Sequence, residues 1–137
     1  MRKITLLSIA VTLFFSCGKF EEGPRISFLS VKSRVMGEWT LEKYMLDGED
    51  ITETYLNGRT EEFKFQADNV MEYKTLSNDV VEGNWEIEDN MVLMELKMTT
   101  PEGLPYIELD TLPLVRLTNK EMWARYENDV EKHFSAK

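Results

Sequence analysis

The 137-residue chain contains one cysteine, Cys17, and one histidine, His133. A thiol can be a nucleophile, a metal ligand or half of a disulfide, and an imidazole can be a base or a metal ligand. With one of each, an intramolecular disulfide framework and a multi-cysteine metal site are excluded, and a multi-histidine site is disfavoured. Because His133 lies close to the C-terminus, we expect a frayed surface residue rather than a catalytic base.

The 25 acidic residues are the other candidates for acid–base or metal chemistry. The acidic stretch Asp47–Asp50, followed by Glu53, offers oxygen ligands for calcium but lacks the alternating spacing of an EF-hand loop. We therefore expect a solvated turn there, and a solvated strand start at Glu61 and Glu62. Carboxylate pairs for glycoside hydrolysis stay open, because so many acids make chance pairs inevitable. No metal, cofactor or catalytic set is predicted, so we expect a protein that is not an enzyme.

The residues around Cys17 indicate what its thiol does. The basic pair Arg2-Lys3 precedes an apolar run, Ile4–Phe15, which is too short to span a bilayer as a helix but fits an export signal. Ser16-Cys17-Gly18 follows directly and resembles a lipobox, at which bacterial lipoproteins are acylated on cysteine and cut. Bulky Phe15 matches the looser version of this motif that is common in Bacteroidetes. The alternative is an ordinary secretory signal followed by an incidental cysteine.

The lipobox resemblance divides the chain into a signal peptide (1–16), an anchor cysteine with a tether (17–32) and a folded domain (33–137). It implies palmitate-type acylation of Cys17 and attachment to the membrane through several acyl chains, which hold more firmly than one. The implied location is the cell envelope, as an outer-membrane lipoprotein on its periplasmic or its surface face.

Composition excludes one class of partner and indicates a folded domain. The formal net charge is −9, which argues against nucleic acid because phosphate neutralisation needs basic clusters. A hydrophobic content of 42% is enough for a packed core, and the length allows one domain of ordinary size.

From Met36 onward apolar and polar residues mostly alternate, which is typical of half-buried strands. Ile26–Val35 and Asp50–Leu56 are the two candidates for short helices. Strands are predicted over Gly37–Leu46, Glu62–Gln66, Val70–Leu76, Val80–Ile87, Met91–Met98, Tyr106–Thr111, Leu114–Leu117, Met122–Glu127 and Val130–Phe134.

These strands predict an all-β fold. No connection is long enough for a helical crossover, so sequential strands pair antiparallel. A meander of this length would leave exposed edges unless it closed, which favours an antiparallel up-and-down barrel of about eight strands. A two-sheet sandwich is the alternative that the same periodicity permits.

Several motifs occur in the order found in one family. Gly37-Glu38-Trp39 matches the G-x-W that opens the first strand of calycin barrels. Phe63–Asp68, Glu82–Glu86 and the final hairpin after Leu114 follow. Behind a lipobox, these segments resemble the small lipocalin-like lipoproteins of Bacteroidetes over about residues 33–134.

The resemblance implies how the barrel closes and what it holds. Trp39 would close one end under an arginine in a cation–π contact, with Arg125 as the first candidate and Arg116 as the second. The barrel would be able to hold a small apolar ligand. The candidate lining consists of aromatic and methionine side chains: Trp39, Phe63, Phe65, Tyr73, Trp85, Met94, Met98 and Tyr126.

Two functions are compatible with this pattern. An eight-stranded barrel is either filled by side chains or holds one small ligand, and its bulky inner residues favour filling. The chain is then either an anchored module that binds a small apolar or amphipathic ligand, or a solid accessory subunit of an envelope complex. In the second case the loop Thr99–Pro105 and the apolar residues Met91, Leu93 and Trp123 would contact a protein partner.

Overall fold

The computed structural model describes residues 29–137, so the predicted signal, Cys17 and most of the tether lie outside the described residues. Two short helices and nine strands follow in the order α1 (Val31–Val35), β1 (Gly37–Leu46), β2 (Glu49–Asp50), α2 (Thr52–Leu56), β3 (Glu62–Phe65), β4 (Val70–Lys74), β5 (Val80–Glu88), β6 (Met91–Thr99), β7 (Pro105–Leu117), β8 (Glu121–Arg125) and β9 (Val130–Ala136).

Each strand from β3 to β9 pairs antiparallel with the next, β1 pairs with β3, and β1 also pairs with β9. The last pairing closes eight strands into a barrel, while the two-residue β2 only extends the end of β1. The prediction of an antiparallel up-and-down barrel of about eight strands is therefore confirmed. No helix among residues 29–137 is long and apolar enough to cross a membrane.

Short polar turns make sequential pairing possible. Asn69, Asn78, Asp89 and Asp129 each have a positive φ and lie between paired strands. Asn and Asp tolerate this left-handed conformation better than other residues with a side chain, which is why such clusters could be read as turns.

The structure joins two strands that the sequence predicts as separate. Tyr106–Thr111 and Leu114–Leu117 are not separate strands but parts of the 13-residue β7, which runs through Pro113. Its register with β6 is continuous from Thr99↔Pro105 to Met91↔Pro113, so the proline does not interrupt it. The irregularity lies further on, as a bulge between Leu114 and Arg116 opposite β8.

Helix α1 belongs to the folded domain. Val31 and Val35 are buried in the same core as the strands, and α1 lies against β5 and β7. The domain boundary predicted at residue 33 therefore falls inside a helix whose first residue already contributes to the core.

Gly83 allows β5 and β6 to approach closely. A Cβ built on Gly83 would lie 2.4 Å from the Glu95 backbone oxygen and 3.3 Å from Leu96 Cα. Because backbone cannot yield as a flexible side chain can, close packing of β5 on β6 requires glycine at position 83 and leaves no space for a ligand there.

Candidate functional site

The barrel interior has two parts of different character. We call the part under α1 the capped half. The part near α2, where Glu108 and Asp110 on the inner face of β7 are exposed, is called the open half. In the capped half the Trp39 Nε1–H donates to the Val35 carbonyl at 2.7 Å, and Arg34 Nη1 donates to the Leu117 carbonyl at 2.7 Å. These bonds fix α1 across the end of the barrel.

The capped half is filled. Five of the predicted lining residues are almost fully buried there: Trp39, Phe63, Phe65, Trp85 and Met94. Phe65 packs on Trp85 with centroids 5.1 Å apart, and Phe63 packs on Phe65 at 5.6 Å. Trp85 is held by a hydrogen bond from its Nε1 to the Gln66 carbonyl at 3.0 Å. The structure therefore gives these residues the role of core.

Neither predicted arginine lies over Trp39. Arg125 on β8 pairs with Glu131 on β9, and Glu131 also pairs with Met45 at the end of β1. Trp39, near the start of β1, pairs instead with Ala136 at the other end of β9. Met45 lies six positions along β1 from Trp39, which is about 20 Å at the usual strand rise. Arg125 Nε contacts Glu131 Oε2 at 2.7 Å on the outside of the barrel.

The second candidate, Arg116, lies 5.0 Å from the ring of Trp123 and forms an ion pair with Glu121 at 2.7 Å. The arginine at the end that Trp39 closes is instead Arg34, on α1. The family resemblance does not predict Arg34, because it implies an arginine on a late strand.

The open half contains a buried polar cluster. Glu61 is only 1% exposed, although a solvated strand start was predicted there. Its Oε2 accepts from the Tyr55 hydroxyl at 2.7 Å, and its Oε1 lies 2.8 Å from Lys132 Nζ. Lys132 Nζ also lies 3.3 Å from the Tyr55 hydroxyl. The carboxylate therefore joins the start of β3, helix α2 and strand β9 inside the barrel.

Tyrosines surround this cluster. Tyr73 and Tyr126, both predicted as lining, are partly buried here, and Tyr73 stacks on Phe63 at 4.7 Å. Burial, together with Glu61 and Asp110, raises the pKa of Tyr73 and of Tyr126. Burial and the hydrogen bond to Glu61 raise the pKa of Tyr55 in the same way. All three hydroxyls therefore stay protonated to a higher pH than the hydroxyl of an exposed tyrosine.

Helix α2 covers the cluster through one aromatic contact. Tyr55 stacks on Tyr44 with centroids 3.8 Å apart, and Lys132 Nζ lies 5.4 Å from the ring of Tyr55 and 5.8 Å from the ring of Tyr44. The Thr52 hydroxyl accepts from the Tyr44 backbone N–H at 2.9 Å. No residue of α2 is fully buried, and its attachments to the barrel are Tyr55, Thr52 and the partly buried Leu56, which packs against the core.

Two further carboxylates stand at the rim of the open half. Asp110 pairs with Met94 and Glu108 with Leu96, so their side chains lie on the inner face of β7. Both are exposed, and within residues 29–137 neither forms an ion pair. The rim is therefore negative, and Lys132 is already paired with Glu61.

His133 is not a frayed surface residue. Its ring stacks on Trp123 with centroids 4.0 Å apart, and its Nε2 lies 2.5 Å from Glu131 Oε1. The pairing of β9 with β1 holds the C-terminal strand in place and makes this contact possible. Hydrogen bonds from His133 and Arg125 lower the pKa of Glu131 against the opposing effect of burial. Trp123, whose ring contacts both His133 and Arg116, is only partly exposed.

The acidic stretch near residue 50 forms a turn. Asp47 and Gly48 have positive φ between β1 and β2. Asp50 accepts from the Thr52 hydroxyl and backbone N–H, and these bonds lower the pKa of its carboxyl. Among residues 29–137, no group of three His, Cys, Asp or Glu side chains is arranged to hold a metal ion.

The polar cluster was detectable in part from the sequence. Glu61 alternates with Phe63 and Phe65, so it shares their inner face, and Lys132 likewise alternates with Val130 and Phe134. The sequence signal for the cluster is therefore a charged residue that alternates in step with the apolar residues of an inner face. Nothing in the sequence pattern placed Tyr55, since it comes from α2.

Two solved structures resemble this barrel. A lipocalin-like protein from Bacteroides uniformis aligns with a TM-score of 0.50 at 14% identity, over 76% of this chain and 99% of that one. An uncharacterized protein from Bacteroides eggerthii aligns with a TM-score of 0.50 at 16% identity, over 74% of this chain and 98% of that one. No protein-family model and no curated protein matches the chain. The two structures establish the lipocalin-like barrel fold.

Proposed function

We propose that the open half of the barrel binds a small amphipathic molecule, in a non-enzymatic protein anchored at the cell envelope through acylated Cys17. The observation that carries the ligand proposal is the buried cluster of Glu61, Lys132 and Tyr55. A barrel that only needed a solid core could use apolar side chains in place of this cluster, because a buried ion pair is often no more stable than they are.

The division of the interior supports this location. The capped half is packed with aromatic rings, so a ligand there would have to displace the core. The open half combines the faces of Tyr44, Tyr73 and Tyr126 with polar groups, the mixture found in small-molecule sites. The aromatic faces would contact the apolar part of the ligand, and the hydroxyls and charges its polar part.

Entry is proposed to occur by displacement of α2. This five-residue helix contributes no fully buried residue, and a helix so short has little stability of its own. Segments with few buried contacts open at the lowest free energy. Moving α2 outward would withdraw Tyr55 and expose Glu61, Lys132 and the ring of Tyr44 to the ligand.

Charge favours a cationic polar group. Three carboxylates, Glu61, Glu108 and Asp110, face the open half, whereas Lys132 is the positive group of the cluster. An amine would meet the rim carboxylates first and then the tyrosine rings, whose faces attract cations.

Two matched fluorescent probes test this proposal. Dansylcadaverine carries an amine and dansyl-6-aminohexanoate a carboxylate, on similar aromatic and aliphatic bodies. We expect enhanced dansyl fluorescence and saturable binding of the amine, at least fivefold tighter than the carboxylate. Met98→Trp, on the inner face of β6, should weaken binding at least tenfold by filling the open half. Leu93→Trp, on the outer face of the same strand, is the control. Equal binding by both β6 variants would refute an interior site.

The anchor needs its own experiment. We expect the chain to incorporate labelled palmitate and to fractionate with the outer membrane, and Cys17→Ser to lose both properties. Native mass spectrometry of the protein purified from its source organism would then show whether a small molecule accompanies it. Membrane association that survives Cys17→Ser would contradict anchoring through this residue.

A further inference from the structure

The first half of β7 has a strand neighbour on one side only. Pro105–Pro113 pairs with β6, whereas pairing with β8 begins at Leu114. Among the described residues no strand pairs with the other edge of Pro105–Pro113. A barrel removes its sheet edges only where both neighbours are present, so this segment presents an open edge.

The backbone groups at this edge can be assigned. Leu114 N–H donates to the Asn90 carbonyl at 2.7 Å, so it points toward the β6 side. Backbone groups alternate between the two sides of a strand, which directs those of Ile107, Leu109 and Thr111 toward the open edge.

The prolines agree with this assignment. The backbone nitrogens of Pro105 and Pro113 point to the same side of β7 as those of Ile107 and Leu109, away from β6. The N–H that each proline lacks therefore removes no hydrogen bond to β6. The N–H of Thr111 already donates to its neighbour, Asp110 Oδ1, at 2.8 Å. Ile107 and Leu109 therefore offer the unpaired donors and acceptors of the edge.

The side chains add apolar surface and charge. Ile107 is 56% exposed and Leu109 75% exposed, both on the outer face. On the inner face, Glu108 and Asp110 alternate with these apolar residues.

A second copy of the chain is a poor occupant of this edge. If two β7 edges paired antiparallel with their faces matched, registers centred on residues 108 to 110 would set Glu108 or Asp110 opposite a carboxylate of the other copy. Like charges directly opposite each other destabilise a strand pair. A strand that brings basic side chains to that face would meet opposite charge instead.

We propose that the open edge of β7 binds an extended segment of a partner protein in which apolar residues alternate with lysine or arginine, as an added strand. The backbone of Ile107 and Leu109 supplies the hydrogen bonds. The apolar side chains of the segment lie beside those of Ile107 and Leu109, and its basic side chains face Glu108 and Asp110. This proposal does not depend on a ligand inside the barrel.

A fluorescein-labelled octapeptide of alternating lysine and valine tests the proposal, with fluorescence anisotropy of the purified protein as the readout. We expect saturable binding, and none by an octapeptide of alternating glutamate and valine. Leu109→Pro should weaken binding at least tenfold, because it removes an edge donor at a position that matches Pro105 and Pro113. Leu109→Ala, which keeps the donor, should weaken binding less.

Three controls keep the result interpretable. Thermal unfolding by circular dichroism verifies that Leu109→Pro is folded, and Ile107→Pro replaces it if it is not. The proline variants should bind dansylcadaverine as the parent protein does, which separates the edge from the interior site. The same lysine–valine peptide with N-methyl groups on alternate residues should fail to bind. Undiminished peptide binding by both proline variants, or a dimer that Leu109→Pro dissociates, would overturn the proposal.

Discussion

Lys132 Nζ lies 2.8 Å from Glu61 Oε1, although the two residues belong to segments that are not neighbours in the sheet. Strand β1 lies between β3 and β9 and pairs with both. Glu61 immediately precedes β3, and Lys132 lies in β9, so the pair ties the first and last parts of the barrel together across the strand between them. The Tyr55 hydroxyl adds α2 to the same carboxylate.

We expect Glu61→Gln and Lys132→Met each to lower the free energy of unfolding by about 3–5 kcal/mol, because each leaves one charge or polar group without its partner inside the barrel. The double variant should lose less than the sum of the two single losses. Urea unfolding followed by tryptophan fluorescence measures all three values. Additive losses would show that the two groups do not act as a pair.

Stability should fall at alkaline pH. The pKa values of Tyr55, Tyr73 and Tyr126 are raised in the folded state, mainly by burial. Below about pH 10, the ordinary tyrosine value, these hydroxyls are protonated in both states and pH has no effect through them. Above it, the unfolded chain loses protons that the folded chain keeps, so unfolding becomes easier as pH rises.

Urea midpoints between pH 8 and pH 11 measure this alkaline effect. Tyr73→Phe and Tyr126→Phe should each flatten the decline above pH 10, because phenylalanine has no proton to lose. A decline of the same steepness in both variants would locate its cause elsewhere.

Gly83→Ala should lower the free energy of unfolding by about 1–3 kcal/mol, the range for overpacked cores. The added methyl group would lie 2.4 Å from the Glu95 carbonyl oxygen, so β5 and β6 must move apart. Gly58→Ala is a control at a glycine with nothing within 4 Å, although its positive φ carries a small strain of its own. Thermal unfolding compares the two; an equal loss would mean that contact with β6 is not the cause.

The barrel was predictable because its signals are local. Alternation placed β1 correctly at Gly37–Leu46, and Asn69 or Asp89 marked turns by tolerating positive φ. Pro113 produced the main strand error, since a proline in a strand is harmless only if its nitrogen faces an unpaired edge. That edge depends on where β8 ends, which is a property of the whole barrel.

The candidate site was predictable only in its apolar part. Phe63, Phe65 and Trp85 were assigned correctly to the inner face, but periodicity does not distinguish a filled interior from a lined one. The cluster of Glu61, Tyr55 and Lys132 joins three segments that are distant in sequence, and no local pattern connects them. The family resemblance also implies that Arg125, on a late strand, closes the barrel over Trp39, whereas α1 with Arg34 covers that end.

The final prediction concerns which arginine supports the capped end. Arg34 is 8% exposed and donates to the Leu117 carbonyl, so Arg34→Ala should cost about 1.5–3 kcal/mol, the range for hydrogen bonds from charged groups. The side chain of Arg125 is 40% exposed where it pairs with Glu131, so Arg125→Ala should cost at most about 1 kcal/mol. Urea unfolding compares the variants, and the tryptophan emission of folded Arg34→Ala should shift to the red as the cap over Trp39 loosens. A larger loss of stability for Arg125→Ala, together with unchanged tryptophan emission in Arg34→Ala, would show that Arg125 on β8 supports this end of the barrel instead of Arg34.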